Sequence, residues 1–268
     1  MLKPSQASQS TTKPVDLELF RRAKLRLLRM HFESGVGHIG GNLSALDALL
    51  TLHHHVMGED DVFILSKGHA AGALYVTLWT IGQLTDEDLT RFHGDGTKLS
   101  GHPAPGWIPG IPMATGSLGH GFPVAGGIAL AKRLQSEPGR VYCLTSDGEW
   151  QEGSTWEALI FAHHHQLANL VVLIDANGLQ GFGSTREVAS LENLRDRIQS
   201  FGVHVLEVDG HDPAALRAAL RRDEPGLQVI VLKTVKGKGV SFMEGRMEWH
   251  YLQLSREQYA QALRELGG

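Results

Sequence analysis

The stretch RVYCLTSDGEWQEGSTWEALIFAHHHQLANLVVLIDANGL, residues 140–179, decides the fold. Residues 140–145 form a short run dominated by apolar side chains and read as a buried strand, as does LVVLI at 170–174. Between them, 154–165 has helical composition. A strand, a helix and a second parallel strand make a βαβ unit, whose right-handed crossover sets the two carboxyl ends side by side. Ser146-Asp147-Gly148 and Asp175-Ala176-Asn177-Gly178-Leu179 follow those ends. That edge is where open α/β sheets bind ligands.

The residue types there suit a particular ligand. Asp147 offers a carboxylate, Asn177 an amide oxygen and Leu179 a backbone carbonyl. A hard cation such as Mg²⁺ prefers oxygen ligands and takes the remainder of its shell from phosphate and water. Asp147, Asn177 and Leu179 are therefore candidate ligands for a metal held against a diphosphate, and Gly148 keeps a side chain out of the way of that group. A lone Asp-Gly or Asn-Gly is ordinarily a turn. Two of them after successive buried strands point to a site instead.

Working outward, periodicity predicts helices over 16–34, 44–56, 68–81, 85–92, 121–135, 154–165, 191–201, 213–222 and 255–266. Capping patterns support three starts: Ser44 with Asp47, Thr85 with Asp88, and Ser255 with Gln258. Strands fit 62–65, 141–145, 170–174, 203–208 and 228–233. The alternation predicts an α/β fold, a doubly wound parallel sheet with helices on both faces. Residues 93–120, dense in Gly and Pro, and 234–254, without periodicity, read as long functional loops. Residues 1–14 read as a mobile leader and 15–268 as one large domain.

Composition excludes several classes. Hydrophobic residues are 42% and charged residues 20%, as in ordinary globular proteins, and the net charge of -4 argues against nucleic acid as the main partner. No run approaches the roughly eighteen apolar residues of a membrane helix, and no signal pattern opens the chain, so a cytoplasmic protein is expected. The single cysteine, Cys143, excludes an internal disulfide framework. The glycine loops match neither a P-loop nor Gly-x-Gly-x-x-Gly after a first strand, which argues against a nucleotide-binding protein.

The 15 histidines fall into two groups. His53-His54-His55 and His163-His164-His165 lie in helical patterns, where neighbouring side chains diverge, and read as surface and packing residues. His38, His69, His102, His120 and His250 sit beside glycine or in loops, where an imidazole can reach a ligand and hold or pass a proton near neutral pH. Gly116, Leu118, Gly119 and Gly121 precede a helix whose first N–H groups could hold anionic oxygens or a cofactor ring.

Taken in order, the Asp147–Asn177 segment resembles the thiamine diphosphate motif of the transketolase family, with Ser146 in place of the usual first glycine. Gly37-His38-Ile39-Gly40-Gly41, Ser66-Lys67-Gly68-His69, Gly101-His102-Pro103, Thr115 to Gly121, Gln151-Glu152-Gly153, Asp209 to Asp212, Lys236 to Gly239 and Trp249-His250 agree along the chain from about Asp16 onward. The resemblance implies thiamine diphosphate with Mg²⁺ (or Ca²⁺ or Mn²⁺), with Gly116, Leu118, His120, Asp147, Gly148 and Asn177 around the cofactor. It implies His38 on the sugar, His69 on the diphosphate, His102 near the thiazolium C2 and His250 on both diphosphate and substrate. Glu152 would lie at a subunit interface.

It further implies that the carboxylate activating the pyrimidine lies in a second domain. The chain is therefore expected to be the N-terminal subunit of a split transketolase, inactive without a C-terminal partner subunit, in a two-plus-two heterotetramer acting on a small sugar or sugar phosphate. A thiamine-dependent 2-oxoacid decarboxylase or acyloin-forming subunit, and a non-catalytic scaffold of the same fold, are the alternatives. Two departures stand out: Gln180-Gly181-Phe182-Gly183 where the family usually has an Asp-Gly pair, and Tyr251 where a glycine commonly follows the histidine.

Overall fold

The computed structural model describes residues 14–222 and 225–268. The expected leader, except for Pro14, lies outside the described residues. Strands β1 (Val62–Leu65), β2 (Val141–Ser146), β3 (Leu170–Ala176), β6 (His204–Asp209) and β7 (Gln228–Lys233) form a parallel sheet in the order β1-β2-β3-β7-β6. The strand order reverses between β3 and β7, and β3 is the strand that carries Asn177 just beyond its end.

Side chains alternate along each strand and feed two cores. Phe63, Tyr142, Leu144, Leu173, Ile230 and Leu232 pack under α1 (Leu17–Ser34), α2 (Ile39–His55), α3 (Ala71–Thr80) and α9 (Pro213–Leu220). Ile64, Val141, Cys143, Val172, Ile174, Val229 and Val231 pack on the other face under α5 (Gly121–Leu134), α6 (Gly153–His164) and α8 (Leu194–Gln199). A sheet covered on both faces requires strands that are apolar throughout, which is why LVVLI is legible as a strand. Each such Val, Leu or Ile contributes about 1.5–3 kcal/mol on full burial.

Local signals set most boundaries. Asp16 caps α1 by accepting from Glu18 N and Leu19 N, both at 3.1 Å. Capping boxes form at Thr85/Asp88, opening α4 (Asp86–Thr90), and at Ser255/Gln258, opening α10 (Arg256–Glu265). The third expected box does not form. Helix α2 begins at Ile39, so Ser44 lies inside it, fully buried, and its hydroxyl donates to Asp175 Oδ2 at 2.6 Å. Neighbours crowd Gly40, where a Cβ would lie 3.0 Å from Lys236 Cγ, whereas at Gly41 nothing lies closer than His69 Cδ2 at 3.7 Å. The expected helix at 68–81 is a 3₁₀ turn, Gly68–Ala70, followed by α3. Residues 191–201 shorten to α8, and 179–189 fold into a small antiparallel pair, β4 (Leu179–Gln180) with β5 (Gly183–Ser184), and the short helix α7 (Thr185–Ala189).

Candidate active site

The carboxyl ends of β1, β2, β3 and β7 deliver Lys67, Asp147, Asn177 and Lys236 to one place, and the start of α2 delivers His38 and Gly41. They line a cavity of about 220 Å³ with His69, His102, His250, Gly116, Leu118, Gly148 and Leu179. A larger cavity, about 800 Å³, opens at the other end of β1 among Met57, Phe63, Trp107 and Ile111. It contains none of the loop histidines or candidate metal ligands, so the chemistry belongs to the smaller one.

Asp147 is 5% exposed. Its Oδ1 accepts from Gly148 N at 2.8 Å and its Oδ2 from Gly178 N at 2.6 Å, which fixes the carboxylate across the two turns. Burial, with Asp175 nearby, pushes its carboxyl up to about 7. A cation beside it would offset both effects. Asn177 Oδ1 accepts from Leu179 N at 3.1 Å, and the Leu179 carbonyl accepts from Lys236 Nζ at 3.4 Å. Among the described residues no three His, Cys, Asp or Glu side chains gather as a metal site. One carboxylate, one amide and one carbonyl instead make an oxygen set that is incomplete without phosphate and water, which suits Mg²⁺. Gly148 adds to the fit, because a Cβ there would meet nothing closer than Gln180 Cβ at 3.6 Å. Packing within the chain does not demand that glycine; it leaves cavity space.

Behind this layer lies a buried ion pair. Lys67 and Asp175 are both 0% exposed and bonded to each other, and Asp175 also accepts from the Ser44 and Thr234 hydroxyls. Burial opposes the Asp175 charge, but Lys67 and these donors outweigh it and hold the carboxyl below its ordinary range. Lys236, 2% exposed, forms no salt bridge among the described residues. It donates to Leu179 O and to His250 Nδ1, the latter at 3.0 Å. Burial and the neighbouring Lys67 bring its ammonium down to about 8. With Asp147 and Asp175 acting on it only from beyond salt-bridge distance, this buried cation facing a cavity can receive an anion.

The imidazoles cluster around that anion site. The ring of His38 lies 4.9 Å from that of His250, 5.7 Å from His69 and 6.2 Å from His102, centre to centre. Burial holds all four below the ordinary histidine range, His38 at about 4 and His250 at about 3, with Lys236 the next influence on His250. They are neutral near pH 7. Because His250 Nδ1 accepts from an ammonium, its own proton sits on Nε2. His38 adopts a left-handed backbone, φ 68°, with its N–H donating to His250 O at 3.1 Å.

Two expected site residues do not reach the cavity. His120 caps the start of α5, where its exposed ring Nδ1 bonds back to the Leu118 carbonyl at 3.0 Å. Glu152 precedes α6 and is exposed. The Gly119 N–H, expected to face an anion, donates to Glu149 Oε1 at 3.1 Å. Glu149 carries no signal in the sequence: fully buried, it also accepts from Ser146 N at 2.8 Å and from the Ser66 hydroxyl, tying three site loops together. Asn42 does the same for the histidines, donating to His38 O at 2.8 Å and His69 O at 3.1 Å. Lys67 and Lys236 stand inside family motifs, and only the fold reveals them as buried cations.

These features define an α/β domain whose sheet edge presents buried ammonium groups and an oxygen donor set to one cavity and whose loops present neutral imidazoles. The chain belongs to the transketolase family: residues 33–268 match its domain described as "Transketolase, thiamine diphosphate binding domain". It is similar to an apulose-4-phosphate transketolase subunit of Phocaeicola vulgatus, 40% identical over 255 residues and 90% of each chain. It is also similar to the 6-deoxy-6-sulfo-D-fructose transketolase subunit SqwG of a Clostridium species, 38% identical over 87% of this chain and 89% of the relative. Among solved structures, transketolase from Leishmania mexicana superposes with a TM-score of 0.88 at 27% identity, covering 95% of this chain and 42% of that one. This chain thus spans about two-fifths of the solved transketolase chain and nearly the full length of the two single subunits. It is an N-terminal, thiamine diphosphate-binding subunit of transketolase type.

Proposed function

We propose that the chain, with residues 15–268 acting as one domain, anchors the diphosphate end of thiamine diphosphate through Mg²⁺, with Ca²⁺ or Mn²⁺ as substitutes. Together with a C-terminal subunit bearing the pyrimidine-binding domain, it transfers a two-carbon ketol unit from a ketose to an aldose, free or phosphorylated. The observation that carries this reading is the convergence, in one cavity, of an incomplete oxygen donor set, an unpaired buried Lys236 and four neutral histidines.

Asp147, Asn177 and the Leu179 carbonyl hold the metal. Lys236 and His69 meet the diphosphate oxygens with the Lys67–Asp175 pair behind them, while Gly116 and Leu118 form the wall against the ring. The bound cofactor supplies carbanion stabilisation, and the protein supplies position and electrostatics. His102, His38 and His250 face the sugar. Neutral imidazoles serve this task because each can donate to one hydroxyl oxygen and accept from another, and His250 Nε2–H is the donor on its side. Several such donors suit a hydroxylated sugar better than a small oxoacid.

His120 and Glu152 belong to the assembly surface. They flank α5 and α6, where Val124, Ile160 and Phe161 are 39%, 52% and 38% exposed. That apolar surface, and the subunit designation of relatives of matching length, support a second chain and a two-plus-two assembly. No helix among the described residues is long and apolar enough to cross a membrane.

The test is reconstitution with the partner subunit, offering a ketose phosphate or pyruvate as donor. Ketol transfer from the ketose is expected, with Asp147→Ala lowering it by about 100-fold. Turnover of pyruvate alone, or full activity in Asp147→Ala, would contradict the reading.

A further inference from the structure

Tyr251 stands where the cavity meets solvent, 55% exposed and outside both hydrophobic cores. Its ring centre lies 4.8 Å from that of His250 and 6.4 Å from that of His38. Its hydroxyl makes no hydrogen bond among the described residues. Two glycines nevertheless lie close to this residue, Gly37 against its backbone and Gly181 against its phenol. A Cβ on Gly37 would lie 2.6 Å from the Tyr251 carbonyl oxygen, and a Cβ on Gly181 would lie 2.3 Å from the Tyr251 hydroxyl. Gly181 does not occupy the left-handed region, so its backbone has no need of glycine. The phenol alone accounts for the missing side chain.

We infer that Tyr251, seated against Gly181 at the β4–β5 turn, is a specificity-determining wall that limits the length of the sugar entering along His38 and His250. This rests on the proposed ketol transfer. The ring spans from the histidine pair to the turn, so it occupies the space into which a longer sugar would extend. The cavity is about 220 Å³ and is shared with the cofactor, so a side chain of this size decides what fits beside it. One or two carbons accommodated or rejected by a pocket change kcat/KM by about 10- to 200-fold.

The experiment has two arms. In the first, the reconstituted pair is assayed with five-carbon and seven-carbon ketose phosphates. Tyr251→Gly is expected to raise the seven-to-five ratio of kcat/KM by about tenfold or more, and Tyr251→Phe to keep the wild-type ratio, because the wall is steric. Gly181→Ala, which displaces the ring, is expected to change the ratio in the wild-type background but not in Tyr251→Gly. If Tyr251→Gly lowers both constants by the same factor, the wall is structural and the inference fails. In the second arm, thermal melting of the chain alone reads the contact without catalysis. Gly181→Ala is expected to give a lower Tm relative to its own background with Tyr251 present than in Tyr251→Gly, where the loss of unfolded-chain freedom alone acts; equal shifts in both backgrounds would overturn the pairing. A wild-type pair inactive with both sugars and with the corresponding free ketoses overturns the ketol-transfer reading, and the specificity role with it, while the melting cycle still reports the contact.

Discussion

The floor of the cavity and its rim are built in opposite ways. On the floor, Lys67, Asp175, Ser44, Thr234 and Glu149 are buried and held by hydrogen bonds within the fold. On the rim, Phe182 and Tyr251 are exposed, Phe182 at 85%, and so, beyond the cavity on the α5–α6 surface, are His120, Glu152 and Ile160. On the proposed function, the chain completes by itself the part that would hold the diphosphate in fixed geometry, and leaves open the part that the partner subunit and the substrate would meet. Polar groups taken out of water have to be fully satisfied within the fold, whereas groups at an interface acquire their partners on assembly.

The largest effect is expected from breaking the floor. Lys67→Met would leave Asp175 buried and unpaired, at a cost of about 3–5 kcal/mol, measured by denaturant unfolding. The double variant Lys67→Met/Asp175→Asn should recover part of that loss. Unchanged stability in Lys67→Met would mean that the pair contributes nothing to the floor.

A second test asks how strictly the interior resists protons. His31, 2% exposed beside Phe92, is brought down by burial to about 4. Its folded value lies below the unfolded value near 6.5, so as pH falls the unfolded chain binds the proton first. Stability present above pH 6.5 is then lost progressively down to about pH 4, by about 3 kcal/mol at 1.36 kcal/mol per unit. His31→Leu should flatten this part of the acid limb, and an identical pH profile in the variant would refute the assignment. Smaller again is the cap of α4: Thr85→Ala removes a capping box and should cost about 1 kcal/mol.

The rim should respond least in stability and most in assembly. Ile160→Asp is expected to change the stability of the isolated chain by no more than about 0.5 kcal/mol, yet to prevent co-elution with the partner subunit on gel filtration. Retained co-elution would remove the α5–α6 surface from the interface.

The same contrast explains what can be read from sequence. Strands β2, β3 and β7 are legible because a sheet covered on both faces leaves uninterrupted apolar runs, and Asp147 and Asn177 are legible because turns after such strands have few other uses. The start of α2 differs from the expected one because Gly40 and Gly41 look like helix breakers, while the close approach of Lys236 and Trp249 that leaves little room for a side chain at 40 is set by the tertiary fold. Lys67, Lys236, Asn42 and Glu149 escape sequence reasoning because a charged or polar residue announces nothing about burial until β1, β7, α2 and the Gly116–Gly121 loop are folded against one another. His120 and Glu152 fall to the cofactor or its surroundings by their place in motifs, yet the helix starts they occupy turn them toward solvent.

Whether the cavity holds a metal-bound diphosphate through Asp147, Asn177 and Leu179 is read by calorimetric titration. Thiamine diphosphate with Mg²⁺ should bind the complex of this chain with its partner, whereas thiamine monophosphate should bind about 100-fold more weakly, and chelation of the metal or Asp147→Ala should abolish the difference. Equal affinity for the two phosphates in the wild-type complex, or binding indifferent to both the metal and Asp147, would contradict that role of the cavity.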